Sequence, residues 1–200
     1  MDIALSHFVI KYFMAKSIKT YLKTAAKDYS SRSVNPPVVR ASTILFRTMQ
    51  ELRKFQKRFE QKLLTIDVRK CENQPLIFGH EGRIVQVIDN IVDNAVTFAP
   101  TNSKIDITLC ANTTNVKIAI DDEGPGIPKN KLDSIFERFY SERPPAEKFG
   151  LHSGLGLSIC KQIVEAHNGK IFAKNRTDYR NDIRGARFII TLPIMNNSKV

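Results

Sequence analysis

The chain has 200 residues, 42% of them hydrophobic, and 31 Lys and Arg against 20 Asp and Glu give it a formal net charge of +11. That length supports one compact domain with an appendage, or two small ones, while the nearest thing to a membrane span, FVIKYFM at 8–14, is far shorter than the roughly 18 apolar residues a spanning helix needs. The three cysteines, Cys71, Cys110 and Cys160, form no C-x-x-C pair, which predicts buried, inert thiols in a reducing cytoplasm.

The charge is uneven. Residues 1–64 hold 13 Lys and Arg against 4 acids, whereas residues 65–200 hold 18 against 16. Residues 1–64 therefore read as a basic, mainly helical segment. Asp2 stands where a secretory leader would be basic, so no signal peptide is expected. The segment has no zinc spacing, no helix-turn-helix pattern and no aromatic-interleaved RNA motif, so no specific nucleic-acid binding is expected either; a solvated helix face, or attraction to anionic lipid or to an acidic partner, fits its charge equally well. Its first helix, within 1–30, breaks at SSRSVNPP, 30–37, where paired prolines cannot continue it. From 40 to 64, Ile44, Leu45, Met49, Leu52, Phe55, Phe59, Leu63 and Leu64 recur every three to four residues as one helical stripe. Such a stripe serves either a helix that pairs with a second copy or one that lies on the following domain.

Residues 65–195 read as a separate domain, with 196–200 as a polar tail. LLTIDV and PLIFG predict short strands. Glu81 to Phe98 predicts a helix with Ile84, Val85, Val87, Ile88, Ile91, Val92 and Val96 toward a core. KIDITLCA and NVKIAIDDEG alternate apolar and polar as half-covered strands do. A helix from Gly154 to His167 and the strands KIFAKN and ARFIITLP complete an α+β fold, a two-layer α/β sandwich with helices on one face of a mixed sheet.

Several residue groups on this frame point to nucleotide chemistry. Asn90 and Asn94 are four apart on one helix and so share a face; their amide oxygens suit Mg²⁺, which prefers oxygen ligands and bridges to substrate phosphates. Asp122 ends a strand and is followed by Gly124, Gly126, Ile127 and Pro128. A carboxylate there can accept from an exocyclic amine, and the missing side chains let a flat base approach the backbone. Adenine is the expected base, because guanine presents a carbonyl oxygen where adenine presents its amine. Ser153, Gly154, Leu155, Gly156 and Leu157 open the next helix, whose free backbone N–H groups can receive phosphate. The polar loop YSERPPAEKFGLH before it has the length of a lid, and its Arg143 and Lys148 can reach phosphates. Taken singly, each feature also fits ordinary structure: a local amide cap, a hairpin turn, a tightly packed helix start. Their order along one chain is what argues for a single pocket.

In the sequence DNIVDNAVTFAP, DDEGPGIP, FERFY and SGLGLSIC, residues from about 75 to 195 resemble the catalytic, ATP-binding domain of bacterial two-component sensor histidine kinases, a GHKL-type domain of Bergerat fold. The stretches FGHEGRIVQVIDNIVDNAVTFAP, FGLHSGLGLSICKQIVEAH and GARFIITLP are similar to the ChvG/BvrS type of alphaproteobacterial envelope sensor kinase. The resemblance implies ATP and Mg²⁺ as cofactors: Asn94 on the metal, Asn90 organising metal and phosphates, Asp122 on the adenine amine, and Phe98 along the nucleotide. It further implies Phe136 and Phe139 anchoring the lid, and Gly154 and Gly156 at the phosphates. Many relatives carry a basic residue where this chain has Thr97, so phosphate charge must be met by the metal, the backbone and lid residues.

The acceptor histidine is missing. In this family it is followed by an acid and then a proline on a dimerising hairpin, yet His7 precedes Phe8 and has no proline at 12, and His80, though followed by Glu81, opens the 81–98 helix. His152 and His167 fall at the lid and at a helix end. The expected function is a kinase domain that transfers the γ-phosphoryl group of Mg²⁺ATP to a histidine supplied by another polypeptide, for relay to a response regulator. A histidine-containing dimerisation domain, the regulator and a second copy paired through the N-terminal helices are the partners this implies. Two alternatives remain: a nucleotide-binding regulatory remnant, and a GHKL ATPase, which would need a glutamate base where Asn90 stands.

Overall fold

The computed structural model describes residues 38–41, 44, 52–70, 75–140 and 154–195, all within a compact unit spanning Pro36–Val200. The expected helix within 1–30, its break at 30–37, His7, Cys71, the lid residues Arg143, Lys148, His152 and Ser153, and the tail 196–200 lie outside the described residues.

The strands are β1 Val38–Arg40, β2 Thr65–Lys70, β3 Leu76–Phe78, β4 Lys104–Ala111, β5 Asn115–Asp121, β6 Lys170–Thr177 and β7 Ile183–Pro193. Among the described residues, the α-helices with both ends placed are α1 Gln56–Lys62, α2 Glu81–Phe98 and α3 Gly156–Ala166, and Ala41 and Ile44 are also helical. A five-stranded sheet runs in the order β2-β4-β5-β7-β6, and β1 pairs with β3 in a small second sheet. β2 lies parallel to β4, and the other pairings of the large sheet are antiparallel, so the sheet is mixed as expected.

Strand alternation builds the core. Register places Ile107 opposite Ile120, Ile120 opposite Phe188, Leu109 opposite Ile118, and Ile118 opposite Ile190, and these rows join one buried apolar cluster with Val87, Ile88, Ile91, Val92 and Val96 of α2 and Cys160 and Val164 of α3. Each such side chain contributes about 1.5–3 kcal/mol by leaving water, which outweighs local propensity and holds β-branched residues in α2. On the other side of the sheet, Asp106 stands opposite Asp121. Like charges so placed repel, and each has its own cations: Arg69 and Lys104 on Asp106, Arg187 on both oxygens of Asp121.

The 40–64 stripe is not one helix throughout its described part. Leu52–Phe55 is a 3₁₀ turn leading into the short α1, and a three-residue strand, β1, precedes it. Leu52, Phe55 and Leu64 are buried with the main cluster, so α1 lies on the domain. Leu63, counted in the stripe, is instead 63% exposed: it is the C-cap of α1 in the left-handed region, φ 51°, which turns its side chain away from the periodic face. The expected second helix start moves from Gly154 to Gly156, because Leu155 is the N-cap and Gly154 has φ +69°. Cys160 is buried as expected, and burial pushes its thiol up to about 12; Cys110 is exposed, because it falls on the polar phase of β4.

Candidate functional site

Helix α2 supplies one wall. Its start is held from α3: His167 accepts the backbone N–H of His80 at Nε2 (2.9 Å) and its Nδ1 lies 2.7 Å from the Ile163 carbonyl oxygen. That carbonyl can only accept, so Nδ1 donates and the ring is committed to two backbone groups. The other end of α2 is held from α1. Lys62 Nζ donates to the carbonyls of Val96, Thr97 and Ala99 at 2.9, 2.7 and 3.0 Å, a cation placed where the helix dipole and its unpaired carbonyls favour one.

Between these fixed ends, Asn90, Asn94 and Thr97 form an i, i+4, i+7 stripe on one face. Asn90 Nδ2 donates to the Gly156 carbonyl at 3.4 Å, linking the asparagine helix to the glycine turn that opens α3. Among the described residues the Asn94 carboxamide has no hydrogen-bond partner, so its oxygen is available. An unclaimed neutral oxygen beside a second carboxamide fits Mg²⁺, which would take most of its ligands from phosphate and water. The stripe continues into charge. Arg58 of α1 donates from Nη2 to Thr97 Oγ1 at 2.7 Å and from Nη1 to the Asp93 carboxylate, so a guanidinium from another element lies beside Thr97.

A second wall is the turn after β5. Asp122 is 4% exposed, and its Oδ1 accepts the N–H groups of Gly124 at 2.8 Å and Ala186 at 3.1 Å. Oδ2 has no donor among the described residues. Burial raises the carboxyl above its ordinary range, against the pull of those two N–H groups and of Arg176. Backbone packing behind it is tight. A Cβ on Gly185, which has φ +134°, would sit 1.9 Å from the Asp122 carbonyl oxygen, so only glycine fits there. Gly126, at φ +77°, is likewise closed to a side chain by Ile183 and Asn175. Gly124 lies against the Phe98 carbonyl, which brings the end of α2 to the turn, with the Phe98 ring 36% exposed at its edge. Ile127 faces the apolar cluster, and its N–H and C=O both bond the Asn175 side chain at 2.7 Å.

The third side is the FERFY segment. Phe136 is buried edge-on against Phe188, with ring centroids 6.4 Å apart. Phe139 differs: it has φ 64° and is 76% exposed, standing where the chain enters residues 141–153. Gly154, on the far side of that stretch, returns to within contact of the Phe139 and Tyr140 backbone. Leu155 and Leu157 flank Gly156 half-buried, Leu157 packing on the core.

Of the expected site residues, Asn90, Asn94, Phe98, Asp122, Gly124, Gly154 and Gly156 are therefore brought around one region, and Ile127, Leu157 and Phe136 support it from the apolar side. Sequence reasoning missed Arg58, Lys62, Asn175, Arg176 and Gly185. Only Gly185 left a trace, as the glycine opening GARFIITLP; the others look like ordinary polar residues of a helix and a strand end.

Residues 79–196 match the family described as histidine kinase-, DNA gyrase B- and HSP90-like ATPase. The chain is 44% identical over 119 residues to the sensor protein ChvG of Rhizobium meliloti, which takes in 59% of this chain and 21% of ChvG. The catalytic domain of histidine kinase ThkA, at 26% identity, aligns with a TM-score of 0.65 over 78% of this chain and 94% of that one; ThkA has also been solved in complex with the response regulator TrrA. Full-length ShkA in complex with AMPPNP shares the fold, with a TM-score of 0.64 over 83% of this chain and 33% of that one at 23% identity. The chain thus spans about a fifth of the length of its ChvG relative.

Proposed function

The chain belongs to the histidine kinase-, DNA gyrase B- and HSP90-like ATPase family, as a GHKL domain of the sensor histidine kinase kind, and from that premise we propose that it binds Mg²⁺ATP and passes the γ-phosphoryl group to a histidine on a separate polypeptide or segment. The observation that carries the reading is the Asp122 carboxylate: one oxygen is occupied by the N–H groups of Gly124 and Ala186 and the other has no donor among the described residues, at a glycine-lined backbone that a flat base can approach. An ionised carboxylate only accepts, so it selects an amine, and adenine carries one where guanine does not.

The remaining residues divide the work by position. Asn94 and Asn90 offer the oxygens that would hold Mg²⁺, whose charge, when bound, offsets that of the phosphates. The first N–H groups of α3, at Gly156 and Leu157, are unpaired within the helix and receive phosphate oxygens. Lid residues Arg143, Lys148 and Ser153 are proposed on the same phosphates from the loop. Transfer then needs an in-line nucleophile: a histidine nitrogen forms the bond to the γ-phosphorus as the bond to the β–γ bridging oxygen breaks and ADP leaves. Neither described histidine is placed for that role, since His167 is bonded to two backbone groups and His80 is the N-cap of α2. The acceptor is accordingly a histidine-containing dimerisation domain, with a response regulator downstream, as ThkA's complex with TrrA suggests by analogy. A second copy pairing through the N-terminal helices is a further proposed partner. Asn90, where a water-activating ATPase of this fold uses a glutamate, argues against simple hydrolysis.

The test is incubation of the full chain with γ-labelled ATP, alone and with a separate histidine-bearing hairpin. The expected result is no acid-labile label on the chain and label on the hairpin. Label on one of the chain's own histidines would overturn the assignment of the acceptor. Nucleotide binding with no transfer to any hairpin would favour a regulatory nucleotide-binding module.

A further inference from the structure

We propose that Asn175 and Arg176, at the end of β6, are positioning residues for adenine recognition, holding the 122–127 turn at its two ends, Arg176 at Asp122 and Asn175 at Ile127. The inference rests on the reading of that turn as the adenine site.

Asn175 acts as a two-point clamp. Its Oδ1 accepts the Ile127 N–H and its Nδ2 donates to the Ile127 carbonyl, both at 2.7 Å, so one planar carboxamide fixes the orientation of the turn's far end much as a neighbouring strand would. Arg176 Nη1 donates to the Asp122 carbonyl oxygen at 2.7 Å, and its Nε lies 3.9 Å from Asp121 Oδ2. Successive residues of a strand ordinarily serve opposite faces. Here the β6–β7 ladder slips between Arg176 and Thr177, and both side chains reach the same turn.

The charges around Asp122 give Arg176 a second task. Burial drives the Asp122 carboxyl toward its neutral form, the N–H groups of Ala186 and Gly124 oppose this, and Arg176 adds to that opposition. Asp121 pushes the other way but is itself held by Arg187 of β7, and the Glu123 carboxylate accepts the Lys104 N–H at 2.9 Å. A protonated Asp122 would present a hydroxyl to the adenine amine and lose the preference. Arg176 therefore both seats the carboxylate and extends the pH range over which it reads adenine.

The test is calorimetric titration of the full chain with ATP and GTP from about pH 4.5, just above the ordinary aspartate range, to about pH 8.5. For Arg176→Gln the acid limb of ATP binding should move to higher pH, giving about a tenfold loss near the acid end that closes at the alkaline end; Arg176→Lys, which keeps the charge, should restore the wild-type limb. Asn175→Ala should weaken ATP about tenfold at every pH, because its clamp involves no ionisation. An Arg176→Gln profile parallel to wild type overturns the proposal, and if that variant does not fold, wild-type affinity in Asn175→Ala overturns it instead. Asp122→Asn separates the two levels. Full retention of adenine preference in that variant would remove the adenine site and this inference together, whereas its loss alongside an unshifted Arg176→Gln profile removes the inference alone.

Discussion

Asp122 is held in a conflict that its surroundings resolve only in part. Its Oδ1 completes the turn while burial acts against its charge. Because the folded-state pKa is raised, the stability linked to this group is fully present below the unfolded value of about 3.9 and is lost as pH rises through the folded value. At neutral pH the ionised side chain therefore costs stability. Asp122→Asn keeps an oxygen for the Gly124 and Ala186 N–H groups, turns an N–H toward the base, and removes the charge. It should lower adenine-over-guanine preference by about 1–3 kcal/mol while making the chain more resistant to urea at pH 7, an advantage that shrinks as the pH falls through the folded value and is gone below about 4. A variant less stable than wild type at neutral pH would contradict the burial argument. Asn94→Ala tests the other wall. Alanine is a good helix former, and the Asn94 carboxamide has no partner to lose among the described residues, so α2 should keep its circular dichroism signal while the Mg²⁺-dependent part of ATP affinity falls; an unchanged Mg²⁺ dependence in calorimetry would remove Asn94 from the metal.

At the level of elements, the site depends on α2, and α2 is fastened at both ends by its neighbours: His167 of α3 at the start, Lys62 of α1 at the finish. Lys62 is the last residue of α1, and the next, Leu63, is a β-carbon-bearing residue at a left-handed cap. The left-handed conformation costs a non-glycine residue roughly 1–2 kcal/mol, and glycine returns part of that as lost freedom of the unfolded chain. Since Leu63 is exposed and packs on little, Leu63→Gly should raise stability by about 0.5–1 kcal/mol in chemical denaturation. A destabilised variant would mean that the leucine side chain contributes more than its exposure suggests. β6 and β7 play the corresponding part for the 122–127 turn, with Asn175, Arg176 and Gly185 contacting it from behind.

Over the whole molecule, the large sheet has one apolar face and one charged row, and the candidate site lies where α2, the end of β5 and the start of α3 converge. Period-two alternation in KIDITLCA and NVKIAID and period-3.6 spacing in 81–98 were sufficient to place β4, β5 and α2 to within a few residues, because each of these elements buries one face and the hydrophobic pattern records that directly. Asn90, Asn94, Asp122 and the glycines of both turns were readable for a different reason: their residue types are narrow solutions to the chemistry proposed for them, an oxygen for a hard ion, an acceptor for an amine, a backbone without a side chain. What sequence alone left open is what depends on distant segments. The 40–64 stripe fitted a pairing helix and a docked one equally, and only packing of Leu52, Phe55 and Leu64 into the shared core put α1 on the domain. Leu63 satisfied the periodicity and still faces water, since a cap residue's direction follows its φ rather than its place in the repeat. Arg58, Lys62, Asn175 and Arg176 lie 34 to 54 residues in sequence from the groups they bond. A long polar side chain reads as a solvated face until the tertiary fold brings it a partner, which is why the chemistry of this site was determined locally and its support was decided by the fold.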